Sequence, residues 1–118
     1  MAGYIIIDLE ITDPEGWQEY LKLAGPSVRQ YEGKILVGSK ASQTLEGDWQ
    51  PRVLSIGEFA SVERALEWYN SPEYAPAKAL RLRVTRSTAV VVPGVEHPAQ
   101  GGAGAPSPSP SPAAAGEG

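Results

Sequence analysis

One acid stands out among the residues that could do chemistry. Glu58 ends an apolar segment in which Leu54 and Ile56 share its strand face. A carboxyl group in that position would be partly desolvated, which raises its pKa and suits it to acid–base catalysis. The alternative is a structural ion pair with Arg81, Arg83 or an arginine of a second copy, because buried acids are usually paired.

An arginine and two tyrosines follow this acid along the chain. Arg81 could hold a substrate carboxylate or enolate through its forked donors, or it could simply pair with Glu58. The phenols of Tyr69 and Tyr74 could donate to a developing oxyanion or belong to the core. Tyr69 is the better core candidate because of its helical spacing with Leu66, and Tyr74 is expected to be more open. We predict Glu58, Arg81 and Tyr74 as catalytic residues and Tyr69 as a substrate contact.

Further acids lie on the first predicted strand. Asp8 and Glu10 share one strand face and could join Glu58 in an acidic cluster, in which neighbouring carboxylates raise one another's pKa. Alternatively they lie near the solvated end of the sheet or pair with Arg83 and Arg86. Asp8 is included among the predicted substrate contacts.

The segment 46–49, with the sequence Glu-Gly-Asp-Trp, is predicted to be a turn in a long connection. It could close over a ligand with Trp49 as an apolar lid, or Trp49 could fill a dimer interface, since aromatic side chains favour both settings. Glu46 and Trp49 complete the predicted substrate contacts.

The composition argues against several classes of site. The chain has no cysteine, and its single histidine, His97, lies in a Gly/Ala/Pro/Ser-rich tail. A Ser-His-Asp triad, a histidine or thiolate zinc site and a histidine-ligated haem are therefore not expected. Gly33 and Gly38 lack the spacing of a phosphate-binding loop. We predict no cofactor and no metal.

Apolar periodicity predicts the elements that must position these residues. Strands are predicted at 4–11, 34–39, 52–59 and 83–92. A helix should begin after Asp13 and kink or break at Gly25-Pro26, with a short second piece at 26–31. Ser61 caps a further helix. Ser71-Pro72 leads into a last helix, whose regular turns should begin near residue 75 because of Pro76.

This β-α-β-β-α-β order predicts a ferredoxin-like α+β fold, with a four-stranded antiparallel sheet covered by helices on one face. The other face would carry either Ile6, Leu54 and Ile56 or the residues that alternate with them, so it would be partly apolar and would need a cover. A second copy of the chain is the simplest cover, so we predict a homodimer.

Charge and the two ends of the chain set further expectations. The net charge is −4 and no basic stripe is present, so nucleic-acid binding is not expected. The N-terminus lacks the pattern of a signal peptide or a membrane span, which predicts a cytoplasmic protein. Residues 1–95 are predicted to form one domain, and residues 96–118 a disordered tail, because the tail has no apolar periodicity.

Several short motifs occur in order along the chain. They are Asp13-Pro14-Glu15, Tyr20, Gly33, Glu46-Gly47-Asp48-Trp49, Glu58-Phe59, Trp68-Tyr69, Ser71-Pro72-Glu73-Tyr74 and Arg81. With this set the chain resembles a bacterial family of domains of unknown function, number 1330. The resemblance implies the dimeric α/β-barrel superfamily, in which two ferredoxin-like protomers pair their sheets. That superfamily includes cofactor-free monooxygenases, haem-degrading enzymes, lactone isomerases, polyketide cyclases and stress-response proteins.

A fold shared by so many activities does not decide between functions. The first hypothesis is a cofactor-independent enzyme that acts by proton transfer on a small carbonyl, lactone or polyketide-like substrate. The second is a non-catalytic protein that binds a small molecule or serves as an accessory dimer. A third is a dimer whose tail recruits a partner, which predicts no ligand-sized cavity.

Overall fold

Seven elements follow one another in the computed structural model, which describes residues 1–95. They are β1 (Gly3–Ile11), α1 (Pro14–Gln30), β2 (Lys34–Ser39), β3 (Val53–Phe59), α2 (Val62–Tyr69), α3 (Ala75–Val84) and β4 (Thr85–Pro93). The strands form one antiparallel sheet in the order β2-β3-β1-β4, which confirms the ferredoxin-like prediction. The tail predicted to be disordered, residues 96–118, lies outside the described residues.

The central strand β1 divides the sheet into two different faces. Ile5, Ile7 and Leu9 are buried and point toward the helices, because alternate side chains of a strand lie on opposite sides. Tyr4 and Ile6 point to the other face, where no helix of residues 1–95 packs, and are only partly buried. We call this second side the open face. Its side chains include those at positions 54, 56 and 58, as the alternation in β3 predicted.

Helix α1 is continuous, so the predicted break at Gly25-Pro26 is wrong. Its start is as expected, since the Asp13 side chain accepts a hydrogen bond from the backbone N–H of Gly16 at 3.2 Å. Burial on both sides of the proline, at Ala24 and Val28, holds the two halves in one line. Pro26 itself is exposed, so water can satisfy the carbonyl that loses its helical donor.

Helices α2 and α3 are joined by a turn built around Ser71. Its hydroxyl donates to the backbone carbonyl of Trp68 at 2.8 Å and accepts from the backbone N–H of Tyr74 at 3.1 Å. Helix α3 begins at Ala75, as predicted from Pro76. It continues to Val84, so β4 begins two residues later than expected.

No helix within residues 1–95 has the length and apolar character needed to cross a membrane.

Replacing Gly3 with alanine tests the close packing of β1 against the start of α2. A Cβ at position 3 would lie 2.5 Å from backbone atoms of Ser61 and Val62, which cannot move aside as a side chain would. We expect Gly3→Ala to lower the free energy of unfolding by about 1–3 kcal/mol, measured by urea denaturation. Gly38→Ala is the matched control, because a Cβ there meets no atom within 4 Å. Equal stability of the two variants would contradict this packing.

Candidate functional site

A cavity of about 240 Å³ lies between α1 and the half of the sheet formed by β2 and β3. Helix α1 packs mainly against α3, which leaves this half of the helix-covered face less filled. Gly38 and Gly57 occupy adjoining strands there and contribute no side chains to the space. The apolar lining includes Ile7, Trp17, Leu21, Val53, Phe59 and Trp68. Pockets of this character, apolar with few polar groups, are typical of small-molecule sites.

The polar part of the lining consists of Ser39, Lys40 and Ser55, together with the phenol-bearing Tyr20. Ser55 is in register with Gly38, near the end of β2, and its side chain lies on the helix-covered face. Ser39 is in register with Leu54, so its side chain lies on the open face, and Lys40 follows it directly. Among the described residues that line the cavity, Lys40 is the charged one and no carboxylate takes part. The cavity therefore has an apolar body and a polar end at which Lys40 is the charged residue.

A buried arginine lies in the same helix layer. Arg81 has 1% of its surface exposed. Its Nη1 donates to the Ser87 hydroxyl at 2.7 Å, and its Nη2 donates to the Tyr69 hydroxyl at 3.1 Å. Within residues 1–95 its Nε has no hydrogen-bond partner, and none of the ion pairs includes Arg81. Its two Nη atoms thus donate to neutral hydroxyl oxygens, and no described carboxylate pairs with its charge.

Two further tyrosines connect this arginine to the cavity. The hydroxyls of Tyr20 and Tyr74 lie 2.9 Å apart, and Tyr20 also lines the cavity. Burial is the main cause that raises the pKa of Tyr20 above its usual range, and the adjacent Tyr74 adds to it. Burial alone would lower the pKa of Arg81, but the hydroxyls of Tyr74, Tyr20 and Tyr69 outweigh that effect and raise it. We call Tyr20, Tyr69, Tyr74 and Arg81 the phenol–guanidinium cluster.

The structure brings three of the predicted site residues together in this cluster: Arg81, Tyr74 and Tyr69. Tyr74 is fully buried, so the expectation that it is more open than Tyr69 is wrong. Its ring lies against Trp68, with the two ring centroids 3.9 Å apart. Trp68 lines the cavity, so this indole separates Tyr74 from the space itself.

Glu58 lies on the open face, on the other side of the sheet from Arg81. Its Oε2 accepts a hydrogen bond from the Tyr4 hydroxyl at 2.9 Å, and its Oε1 is 3.7 Å from Nζ of Lys34. The hydrogen bond to this carboxylate, more than burial, raises the pKa of Tyr4. The predicted pairing with Arg81 or Arg83 is wrong, because a lysine and a phenol already serve this acid. One small ligand within a protomer cannot contact both Glu58 and Arg81.

Asp8 and Trp49 meet on the open face, far along it from Glu58. The indole Nε1 of Trp49 donates to Oδ2 of Asp8 at 2.7 Å, which fastens the connection between β2 and β3 to the sheet. Trp49 remains 58% exposed. Glu46 is exposed in the same connection, where Gly47 has a φ of 82° and makes the predicted tight turn.

The predicted acidic cluster of Asp8, Glu10 and Glu58 does not form. Glu58 pairs in register with Tyr4, four residues from Asp8 along β1, which is about 13 Å at the usual rise per residue. Asp8 and Glu10 instead line a shallow hollow of about 320 Å³ together with Arg52 and Arg86. The charges in this hollow are mixed. No three histidine or carboxylate side chains within residues 1–95 are arranged to hold a metal ion.

Tyr20, Lys40 and the two glycines of the cavity were not among the predicted site residues. A signal existed for Tyr20 and for the two glycines. Tyr20 stands in the buried stripe of α1 with Ala24 and Val28, and a buried phenol needs a hydrogen-bond partner. Glycine inside a strand often marks a place where another group approaches closely. Lys40 carries no such signal, because its position depends on where β2 ends.

A family model matches residues 2–95, which includes every element described above. The chain belongs to the DUF1330 family. This family is described only as a domain of unknown function, so membership confirms the resemblance without adding an activity. No curated protein sequence is detectably similar to this DUF1330 chain.

Solved structures share the fold at low sequence identity. A protein of unknown function from Rhodopseudomonas palustris matches with a TM-score of 0.65 and 17% identity over 81% of this chain and 84% of its own. SnoaB, a cofactor-independent oxygenase from Streptomyces nogalater, matches with a TM-score of 0.56 and 7% identity over 82% and 96% of the two chains. A dimeric ferredoxin-like protein of unknown function from Thermobifida fusca has a TM-score of 0.50 and 8% identity over 79% and 91%. These identities establish the fold alone.

The raised pKa of Tyr20 predicts loss of stability in alkali. The folded chain holds this proton more tightly than the unfolded chain, whose tyrosines titrate near pH 10. The stabilisation is therefore complete below about pH 10 and falls above it by up to about 1.4 kcal/mol per pH unit. The free energy of unfolding, measured with urea at several pH values above 10, should fall less steeply with pH for Tyr20→Phe than for the wild type. Tyr4 and Tyr31, whose pKa values are also raised, contribute to the pH dependence of both proteins. An equal dependence of stability on pH in the two proteins would contradict the raised pKa of Tyr20.

Proposed function

We propose that the protein is a cofactor-independent enzyme that acts by proton transfer on a small, mainly apolar carbonyl compound, such as a lactone or a polyketide-like molecule. The observation that carries this proposal is that Tyr20 belongs to both the cavity wall and the phenol–guanidinium cluster. A ligand in the cavity would therefore lie next to a chain of polar hydrogens, in a space that is mainly apolar. Such preorganised donors act most strongly where water is excluded.

The chemistry of arginine suggests a direction for the hydrogen bonds in this cluster. A guanidinium only donates, so the Tyr74 oxygen beside Arg81 is favoured as an acceptor, and its own proton points to the oxygen of Tyr20. The proton of Tyr20 is then left for a ligand. In the proposed reaction a water molecule takes the proton from the carbon next to the carbonyl while Tyr20 gives its proton to the carbonyl oxygen, which forms an enol. Tyr74 supplies the replacement proton to Tyr20, and Arg81 stabilises the phenolate formed at Tyr74. When the carbonyl forms again, the enol proton returns through Tyr20 to Tyr74, and the protonated water gives its proton to a carbon of the product.

A second candidate function is non-catalytic binding of a small molecule. It is favoured by the absence of a carboxylate or imidazole from the described residues that line the cavity. The guanidinium of Arg81 is also already engaged by Ser87 and Tyr69 rather than directed into the space. A protein of this kind would keep the apolar cavity without moving a proton.

Blocking the cavity tests whether it is the binding site. Small lactones, aromatic ketones and carboxylic acids would be screened for ligands that raise the melting temperature, since binding to the native state stabilises it. A Cβ at position 57 would meet Ile35 at an ordinary 3.5 Å, so Gly57→Val should fold while filling part of the space. We expect ligands of the wild type to stabilise Gly57→Val little or not at all. Ile56→Val, the neighbouring open-face position, is the control and should respond as the wild type does.

Turnover of these ligands, followed by mass spectrometry, separates the two functions. We expect Tyr20→Phe to lower the turnover rate by about a hundredfold or more, because it removes a general acid. Glu58→Gln keeps an acceptor for Tyr4 and lies on the other face, so its rate should stay close to that of the wild type. Loss of turnover in Glu58→Gln alone would overturn this assignment in favour of Glu58. Binding without turnover in the wild type would support the non-catalytic function.

We also propose that a second copy covers the open face. The support is its apolar content, which includes Val90, 56% exposed and opposite Ile6 in register. We expect Val90→Asp to shift the mass measured by light scattering from twice the 12.5 kDa of one chain to that of a single chain. Leu82→Asp is the matched control, because Leu82 is 61% exposed on α3, in the helix layer. A monomeric wild type would contradict the proposal.

A further inference from the structure

We propose that the ligand of the cavity is an organic anion, with an apolar ring or short chain in the body of the cavity and one carboxylate at Lys40. This inference rests on the proposed function, because it takes the cavity between α1 and the sheet as the binding site. It adds the charge and the orientation of the ligand, which the choice of cavity alone leaves open.

The first support is the charge of the lining. Lys40, an exposed residue directly after β2, is the charged residue of a lining in which no described carboxylate takes part. The Ser55 hydroxyl lies at the same end, in register with Gly38, and a donor of this kind helps to complete the shell of a carboxylate. A neutral ligand would leave the ammonium unpaired at this end, whereas an anion would form an ion pair with it.

The second support is independent and comes from Arg81. Buried arginines are normally paired with acids, yet within residues 1–95 this one is surrounded by neutral hydroxyls and keeps an unbonded Nε. Its positive charge lies behind the cavity wall, in contact with Tyr74 and through it with Tyr20. In a medium of low polarity this charge acts over a longer distance than in water. Both cations therefore favour a negative ligand.

The dimensions of the cavity define the apolar part. A volume of about 240 Å³ exceeds the roughly 150 Å³ of a dry cavity that binds benzene. It therefore has room for one aromatic ring with a short side chain. Trp17 lines it and is stacked on Tyr20, with the two ring centroids 4.9 Å apart, which gives a flat surface for such a ring.

Three probes of one shape and different charge test the proposal: cinnamate, cinnamyl alcohol and cinnamylamine. Their dissociation constants would be measured by calorimetry for the wild type, Lys40→Gln, Lys40→Arg and Gly57→Val. We expect cinnamate to bind most tightly and cinnamylamine most weakly. Lys40→Gln should weaken cinnamate about threefold to fivefold, as for one partly exposed ion pair, and leave cinnamyl alcohol unchanged. Lys40→Arg should restore cinnamate binding.

Lys22→Gln is the control for net charge, because Lys22 is an exposed lysine of α1 that does not line the cavity. Equal weakening of cinnamate by Lys22→Gln and Lys40→Gln would overturn the placement of the carboxylate. If cinnamyl alcohol binds as tightly as cinnamate, and Gly57→Val abolishes both, the cavity remains the site and the anionic ligand is overturned. If no probe binds the wild type, or Gly57→Val binds all as well, the cavity fails as the site and the inference fails with it.

Discussion

The buried guanidinium of Arg81 is the interaction on which the helix layer depends. It lies on α3, bonds to Tyr69 at the end of α2 and to Ser87 on β4, and contacts Tyr74, whose hydroxyl meets Tyr20 on α1. Removing such a charge from water is costly, so the oxygens around it must all stay in place. The three helices and an edge strand are therefore held in one arrangement by a single side chain. That arrangement also decides how much of the sheet α1 can cover.

The candidate site could be predicted from the sequence only in part. Residue type identified Arg81, Tyr69 and Tyr74 as polar groups in apolar surroundings, and the structure brings them together. The sequence could not show that the sheet separates them from Glu58, because alternation defines two faces of a strand but not which face the helices cover. An arginine and an acid are the obvious pair by charge. In the structure Arg81 contacts neutral hydroxyl groups instead of an acid. This arrangement depends on how residues far apart in the sequence pack together, which the local pattern does not show.

The fold was more accessible, since it depends on patterns that repeat along each element. The alternation in β1 and β3 and the caps at Asp13 and Ser61 predicted the strands and helix starts closely. The error at Pro26 has a definite cause: local helix propensity disfavours proline, but burial of the same helix face before and after it outweighs that cost. The end of α3 was also missed, because a helix that runs directly into a strand has no breaker to mark the boundary.

Gly38 and Gly57 form the sheet side of the cavity, and the space exists there because neither residue has a side chain. The space therefore does not belong to the fold, which would persist if either position carried a side chain without steric conflict. Fold and site can consequently change independently. A Cβ at position 57 would meet its neighbours only at 3.5 Å or more, so a chain with alanine there would keep the same architecture while accepting smaller guests. Selectivity for ligand size is thus adjustable by a single carbon atom, at a position that the chemistry of the cluster does not use.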